Sequence, residues 1–207
     1  MSAGRLALVA IALLAAIGGY WVGNRFKQPD PEPLSATVFP VPRPLPEFEL
    51  VGEDETTFTR SDLRDAWHFV FFGYTYCPDI CPTTLTRYTQ VINRLAADPG
   101  LQQQTRVLFV SVDPARDTPE RLGEYVRFFH PEFRGVTGDK QEIDRLAKAF
   151  SVFYETHEPD AEGNYLVDHS AVVAVVNPRA ELAAFFSGVL DPEVIAADFQ
   201  RIVARSQ

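Results

Sequence analysis

Residues 67–81 read WHFVFFGYTYCPDIC, a strongly apolar run that gives way to a turn and then to the two cysteines of the chain. If a helix begins near Cys77, the four-residue spacing places Cys77 and Cys81 on one helix face, about one turn apart. A helix N-terminus offers unsatisfied N–H groups and a positive dipole end, which favour thiolate over thiol. The pair could therefore close a disulfide or bind a soft metal ion, and this stretch alone leaves both open.

The composition limits the class of protein. The 207 residues are 46% hydrophobic and 12% aromatic, which is enough for one well-filled core plus appendages, without a disulfide framework. The formal net charge of -9 argues against a nucleic-acid partner, because proteins that bind nucleic acids normally present a basic surface. We therefore expect a single globular domain and no nucleic acid among its partners.

The N-terminal region carries an uncharged run of 18 residues, positions 6–23, with basic residues on both sides. This length is sufficient for a helix that spans a bilayer, and Tyr20 and Trp21 are typical of a membrane interface. We predict a membrane anchor over residues 1–27 that contains a single transmembrane helix. A cleaved signal peptide is the alternative, and an Arg/Ser-rich mitochondrial presequence is not visible.

A proline-rich segment follows the anchor. Residues 28–46 contain seven prolines among polar and small residues, which is typical of a semi-rigid extended tether that spans about 3.1 Å per residue. We predict that this segment is a linker with no binding role. The globular domain is then expected over residues 47–207.

Strand and helix patterns alternate along the globular part. The predicted elements are a hairpin of residues 48–50 and 56–58, strands at 67–72 and 106–112 with a helix between them, helices opening at Thr118-Pro119 and Asp139, strands at 171–176 and 182–186, and a last helix opening at Asp191-Pro192. Asp139 and Glu142 resemble a capping box. This order predicts an α/β sandwich with an N-terminal hairpin extension, and the cysteine pair at the end of the first buried strand makes it resemble thioredoxin.

The four histidines are candidate partners for the two sulfurs, because thiolate and imidazole ligands both suit copper. Three of the four have structural or exposed surroundings: His68, His130 and His157. His169 differs, because it lies directly before the strand at 171–176, in a loop that faces the cysteine turn in a thioredoxin-like sheet. It is the candidate third ligand. Zinc, with a water as a further ligand, is the weaker alternative metal.

Three stretches of the chain resemble the signatures of the Sco/SenC family: FGYTYCPDICPTTL at 72–85, SVDPARDTP at 111–119 and VDHS at 167–170. Members of this family are membrane-tethered, thioredoxin-like copper proteins needed to assemble the dinuclear copper centre of cytochrome c oxidase. The resemblance runs from about Pro46 to the C-terminus. One departure from the common pattern is Tyr76, which stands where many relatives have a histidine.

The resemblance implies a copper metallochaperone with Cys77, Cys81 and His169 as the copper ligands. Its expected partners are cytochrome c oxidase subunit II, a copper donor, a thiol reductant and the membrane. It would be a single-pass protein of the bacterial inner membrane with its domain in the periplasm, and not primarily an enzyme. The main alternative is a membrane-tethered thiol–disulfide oxidoreductase that acts on the cysteines of the oxidase subunit. A peroxidase-like enzyme and a copper sensor or scaffold also stay open.

Three acidic residues are candidates for supporting the ligands. Asp79 lies between the cysteines, where a carboxylate also stabilises a helix N-terminus. Asp168 could orient the His169 ring, and Asp113 follows a strand at the expected edge of the site. Asp117 is interpreted only as part of the next helix cap.

Overall fold

The computed structural model describes residues 4, 13–15, 18, 34–188 and 191–206. The chain divides into two compact units, residues 1–34 and residues 35–207. Most of the predicted transmembrane helix lies outside the described residues. In the part of the chain that is described, no helix combines the length and the apolar character needed to cross a membrane.

The second unit contains helices and strands in alternation. In chain order they are β1 (Thr37–Pro44), β2 (Glu49–Gly52), β3 (Thr57–Thr59), a 3-10 turn (Arg60–Leu63), β4 (Trp67–Gly73), α1 (Ile80–Leu95), α2 (Pro99–Gln103), β5 (Thr105–Ser111), α3 (Pro119–Phe129), β6 (Arg134–Thr137), α4 (Lys140–Ala149), β7 (Tyr154–Thr156), β8 (Val167–His169), β9 (Val172–Asn177), β10 (Glu181–Ser187) and α5 (Pro192–Arg205). Eight strands form one mixed sheet in the order β1-β10-β9-β4-β5-β6-β2-β3, and β7 pairs with β8 in a separate ribbon.

Strand β4 lies at the centre of the core, and all seven of its residues are buried. On one face the Phe69 ring contacts Tyr88 of α1 and Phe199 of α5, with centroids 4.9 Å and 4.6 Å apart. On the other face Phe72 packs against Phe150, which follows α4, at 5.3 Å. Side chains alternate between the faces of a strand, so an unbroken apolar run requires cover on both faces. The predicted α/β sandwich is confirmed.

The strand pairing brings two distant segments to one end of the sheet. Strand β4 is parallel to β5, but it is antiparallel to β9, with Phe71 opposite Val173. The chain therefore leaves β4 after Gly73 at the same end of the sheet where it enters β9. As a result, the cysteine turn lies beside the segment that carries His169.

Most of the predicted local signals are confirmed. The β2–β3 hairpin and the antiparallel β9–β10 pair form, and the Thr118 side chain caps α3 by accepting from the Arg121 N–H. The capping box at α4 is wrong, because the Asp139 side chain makes no capping hydrogen bond. The Glu142 carboxylate instead accepts from the Glu49 N–H and pairs with Arg145.

The predicted linker is wrong over residues 37–44, which form strand β1 at the edge of the sheet beside β10. The pairing register is irregular between Val38 and Arg43, the stretch that contains Pro40 and Pro42. Proline is tolerated there because an edge strand directs half of its N–H groups to solvent. The ordered domain therefore begins before the predicted boundary at residue 47.

The Phe69→Ala substitution is expected to lower the free energy of unfolding by about 3–5 kcal/mol, since it removes a fully buried ring from the centre of the core. Phe128→Ala is the matched control, because the Phe128 side chain is 83% exposed and surface substitutions usually change stability by only about 0.5 kcal/mol. Urea denaturation measures both. Equal effects of the two substitutions would contradict the assigned core.

Candidate metal centre

The two cysteines lie in different local structures. The sequence predicted a helix start near Cys77, but α1 begins at Ile80, with Asp79 as the preceding cap residue. Cys77 belongs to a tight turn in which its N–H donates to the Tyr74 carbonyl at 3.2 Å. The Cys81 N–H donates to the Cys77 sulfur at 3.4 Å. That sulfur therefore accepts from one of the otherwise unsatisfied N–H groups in the first turn of α1.

His169 is the last residue of β8, and its side chain points at the cysteines. Its Nε2 atom lies 3.3 Å from the Cys81 sulfur. The imidazole ring makes edge contacts with Phe71 at 5.6 Å and Tyr74 at 6.2 Å, measured between ring centroids. On the other side of the ring, Nδ1 lies 3.4 Å from the Ser170 carbonyl oxygen. Aromatic contacts and a backbone acceptor thus fix the orientation of the ring.

The three side chains converge on one small volume. One potential ligand atom each from Cys77, Cys81 and His169 lies within 4.8 Å of the others. Within the described residues, they are the one group of three or more histidine, cysteine or acidic side chains placed to share a metal ion. Two sulfurs and an imidazole nitrogen form a soft donor set, which suits Cu(I) or zinc better than magnesium or calcium.

Gly73, the last residue of β4, makes room for the buried sulfur. A Cβ atom at this position would lie 2.7 Å from the Cys81 sulfur and 2.9 Å from the Phe109 ring. These separations are shorter than van der Waals contact, so a larger residue would displace one of the two groups. Because Gly73 lacks a side chain, the Cys81 sulfur can pack directly against the end of the central strand.

The two thiols have opposite acidities. Hydrogen bonds to the Cys77 sulfur hold the pKa of Cys77 well below its usual range. The largest contribution comes from the Cys81 thiol, followed by His169 and backbone N–H groups. The Cys81 thiol donates to Cys77 and is buried, and both causes raise its pKa. The metal-free site therefore holds one thiolate and one thiol.

Asp117 has a larger structural role than the predicted helix cap. Its carboxylate is fully buried and accepts from the Thr75 N–H at 3.0 Å, the Thr75 hydroxyl at 2.6 Å and the Ser111 hydroxyl at 2.7 Å. Burial raises the pKa of Asp117. The carboxylate thus ties the chain just before Cys77 to the end of β5. The sequence placed these residues within family-like stretches, but it gave no sign of this contact.

The contacts of Asp168 and Asp79 differ from the predicted supporting roles. The Asp168 carboxylate pairs with His157 Nε2 at 2.8 Å, whereas the Ser170 carbonyl occupies the place predicted for Asp168 beside the His169 ring. Asp79 is exposed, and its carboxylate accepts from the Thr83 hydroxyl. Neither carboxylate bonds to the imidazole of His169. His157, predicted to be simply exposed, is half-exposed and paired.

Asp113 is buried and organises two residues that sequence reasoning missed. Its carboxylate accepts from Arg116 Nε at 2.5 Å and from the Tyr165 hydroxyl at 2.7 Å. Arg116 Nη1 also donates to the Tyr165 carbonyl at 3.0 Å. Asp113 therefore supports the surroundings of the site through these two side chains. Arg116 lies within the family-like stretch 111–119, but neither that stretch nor the loop that holds Tyr165 gave a sequence signal for this arrangement.

Iodoacetamide is expected to modify Cys77 of the reduced, metal-free protein faster than Cys81. Cys77 is partly exposed and its lowered pKa preserves the thiolate as the pH falls, whereas Cys81 is buried and protonated. Mass spectrometry that resolves the two sites, at several pH values between about 5 and 8, measures both rates. A Cys77 rate that falls about tenfold for each pH unit below about 8.5 would instead indicate an ordinary thiol.

Comparison with known proteins gives a consistent family assignment. The SCO1/SenC family model matches residues 42–204. The mitochondrial SCO2 homolog of Bos taurus is 34% identical over 158 residues, which cover 76% of this chain and 59% of the bovine protein. This chain therefore spans less than two thirds of the length of that relative. The SCO2-like protein of Rickettsia conorii is 31% identical over 183 residues, with 86% of this chain and 87% of that protein covered.

A solved structure supports the same assignment. The crystal structure of Arabidopsis thaliana ScoI with copper bound is similar to this one with a TM-score of 0.72 and 32% sequence identity, covering 77% of this chain and 98% of that one. The α/β fold predicted from the order of strands and helices, and its likeness to thioredoxin predicted from the position of the cysteine pair, are thereby confirmed. Since the family model spans most of the sequence and includes all three converging side chains, the chain belongs to the SCO1/SenC family.

Proposed function

We propose that the protein is a copper metallochaperone that binds copper through Cys77, Cys81 and His169 and delivers it for assembly of cytochrome c oxidase. The observation that carries this proposal is the convergence of these three side chains, with their ligand atoms within 4.8 Å of one another. The copper-bound structure of Arabidopsis thaliana ScoI supports the choice of metal. The role in oxidase assembly follows from the family resemblance.

The donor atoms suit Cu(I) as a cargo. Thiolate sulfur and neutral imidazole are ligands that bind copper well, and the thiolate is the form of cysteine that ligates. Cys77 is held as a thiolate, whereas Cys81 must lose its proton when the metal enters. With Nε2 facing the sulfurs, a proton on Nδ1 is oriented toward the Ser170 carbonyl. Copper binding therefore releases a proton and strengthens as the pH rises.

Delivery requires that the site be reached from outside. Cys77 and His169 are partly exposed, whereas Cys81 is buried behind them. An incoming ligand of a partner can therefore approach the metal without unfolding of the domain. We propose subunit II of the oxidase as the recipient and a separate copper donor and thiol reductant upstream. The N-terminal anchor would hold the domain at the periplasmic face of the bacterial inner membrane.

Thiol–disulfide exchange is the second candidate function. Cys77 and Cys81 are free thiols with sulfurs close together, and the more exposed one lies in front of the buried one. This is the arrangement of an attacking and a resolving thiol. Reduction of a disulfide in the partner would pass two electrons to it, with one proton from Cys81 and one from solvent, and leave a Cys77–Cys81 disulfide. That disulfide would block copper binding until a reductant opened it.

Loss of a residue that only supports a metal ligand usually weakens metal binding by roughly 10–100-fold. His169→Ala removes a ligand itself, so it is expected to weaken Cu(I) binding by more than this. His157→Ala is the matched control, since His157 directly follows β7 of the same ribbon and its side chain, in the described contacts, pairs only with the exposed Asp168. Competition with a chromophoric Cu(I) chelator measures both affinities. Unchanged affinity of the His169→Ala protein would remove the three-ligand model.

The cellular role is tested in a strain that lacks the gene. The His169→Ala and Cys81→Ser proteins are expected to leave the oxidase without copper, whereas the His157→Ala protein is expected to restore its copper content. The measurements are the copper content and the activity of the purified oxidase. A thiol–disulfide oxidoreductase would need Cys81 but not His169, so restoration by His169→Ala would favour that function. Full restoration by Cys81→Ser would exclude both functions.

A further inference from the structure

We propose that Arg116 is a positioning residue that ties the histidine segment of the metal centre to the cysteine segment. This inference rests on the proposed copper function, because the distance that it controls is the one between His169 and the cysteines. Arg116 belongs to neither segment; it lies in the turn that follows β5. Its role is therefore to join the two parts of the site from a third element.

The histidine segment needs such a tie. His169 ends β8, which pairs with β7 alone, and this two-stranded ribbon is separate from the eight-stranded sheet. An isolated two-stranded ribbon is only marginally stable in water. Strand β9 of the main sheet begins only three residues after His169 and holds its backbone near the end of β4. The position of the His169 side chain relative to the cysteines depends in addition on contacts of the ribbon and of the residues next to it.

Arg116 provides one set of these contacts through Tyr165, four residues before His169, whereas Tyr154, opposite His169 in β7, contacts Asp144 of α4. Its Nη1 donates to the Tyr165 carbonyl at 3.0 Å, and its guanidinium carbon lies 3.5 Å from the centroid of the Tyr165 ring. The Tyr165 hydroxyl and Arg116 Nε both donate to the buried Asp113 carboxylate. Three groups thus close a ring of contacts that fixes Tyr165 at the entry to β8.

The same guanidinium contacts the cysteine segment. It lies 4.7 Å from the centroid of the Tyr76 ring, and Tyr76 immediately precedes Cys77. Arg121 stacks on this ring as well, at 4.0 Å, and its Nε donates to the Thr75 hydroxyl at 2.6 Å. Although Tyr76 is 47% exposed, its ring is held by two cations. Arg116 therefore contacts fixed groups on both sides of the metal centre.

Stability alone is a poor explanation for this arrangement. The Arg116 side chain is 18% exposed, and its Nη2 atom is buried without a hydrogen-bond partner among the described residues. Burying a charged pair costs desolvation, and apolar side chains of similar volume often stabilise a protein as well or better. A planar guanidinium, however, can bond to a carboxylate and a carbonyl while stacking on aromatic rings. These contacts specify one geometry of the two segments.

The test compares Cu(I) affinities in two backgrounds. Arg116→Met is expected to lower the affinity by about 10–100-fold, the usual cost of losing a residue that orients a ligand. In the His169→Ala background the same substitution is expected to change the affinity less than about threefold, because the ligand that it positions is already gone. Arg116→Lys keeps the charge but cannot make the paired contacts of the planar group, so it should also lower the affinity.

Arg134→Met is the matched control. Arg134 pairs with Glu53 at 2.6 Å, and the Glu53 side chain is only 7% exposed, so this variant also leaves a shielded carboxylate without its arginine. Arg134 lies at the start of β6, opposite Leu108 of β5, whereas the site lies at the end where Gly73 faces Ser111. Copper affinity should stay at the wild-type value. Hydrogen exchange in the metal-free proteins should accelerate at the amides of β8 in Arg116→Met but not in Arg134→Met.

The outcomes separate the inference from the function on which it rests. Two results would overturn the positioning role and leave the copper function standing. In the first, Arg116→Met lowers the Cu(I) affinity equally in the wild-type and His169→Ala backgrounds. In the second, both Arg116 variants bind Cu(I) with wild-type affinity although the His169→Ala protein binds it more weakly. Failure of the wild-type protein to bind Cu(I) would overturn the copper function. Unchanged exchange in β8 of the Arg116→Met protein would overturn the tie whatever the result with copper.

Discussion

The antiparallel pairing of β4 with β9 is the constraint on which the candidate metal centre depends. Cys81 and His169 are 88 residues apart in the chain, yet Cys81 Sγ and His169 Nε2 are separated by 3.3 Å. Because β9 runs opposite to β4, its beginning lies at the end of β4, and the segments outside both strands must meet there. A parallel β9 would place the histidine segment at the far end of the sheet.

Within this frame, close packing gives the two sulfurs different freedom. The Cys81 sulfur packs against Gly73, where a Cβ atom would collide with both this sulfur and the Phe109 ring, so neither the helix nor the strand can shift without a collision or a cavity. Cys77 precedes the helix in a turn and is partly exposed. Its N–H donates to the Tyr74 carbonyl and its sulfur accepts from the Cys81 N–H, while the buried Asp117 carboxylate holds the preceding residue Thr75. The site thus combines a sulfur fixed by the core with a sulfur fixed by a loop.

The sequence predicted those parts of the molecule that local patterns control. The apolar run of β4, the proline after Thr118 and the histidine directly before β9 each gave a correct element or placement. Strands β6, β7 and β8 were not predicted, because three or four residues carry too little periodicity and the pairing partners are remote. Strand β1 was predicted as part of a linker, because its prolines are typical of an extended tether as well as of an edge strand. The contacts of Asp117 and Arg116 depend on tertiary packing, which no local pattern encodes.

The exposure of the three side chains gives the proposed copper transfer a physical order. A ligand from the recipient can reach the metal on the side of Cys77 and His169, because Cys81 is shielded by the end of β4 and by α1. The partly exposed groups can therefore be replaced first, while the buried sulfur still holds the ion. The raised pKa of Cys81 favours return of its proton once the other bonds are lost. Reprotonation then opposes recapture of the metal, so the burial that fixes this sulfur also helps to release the cargo.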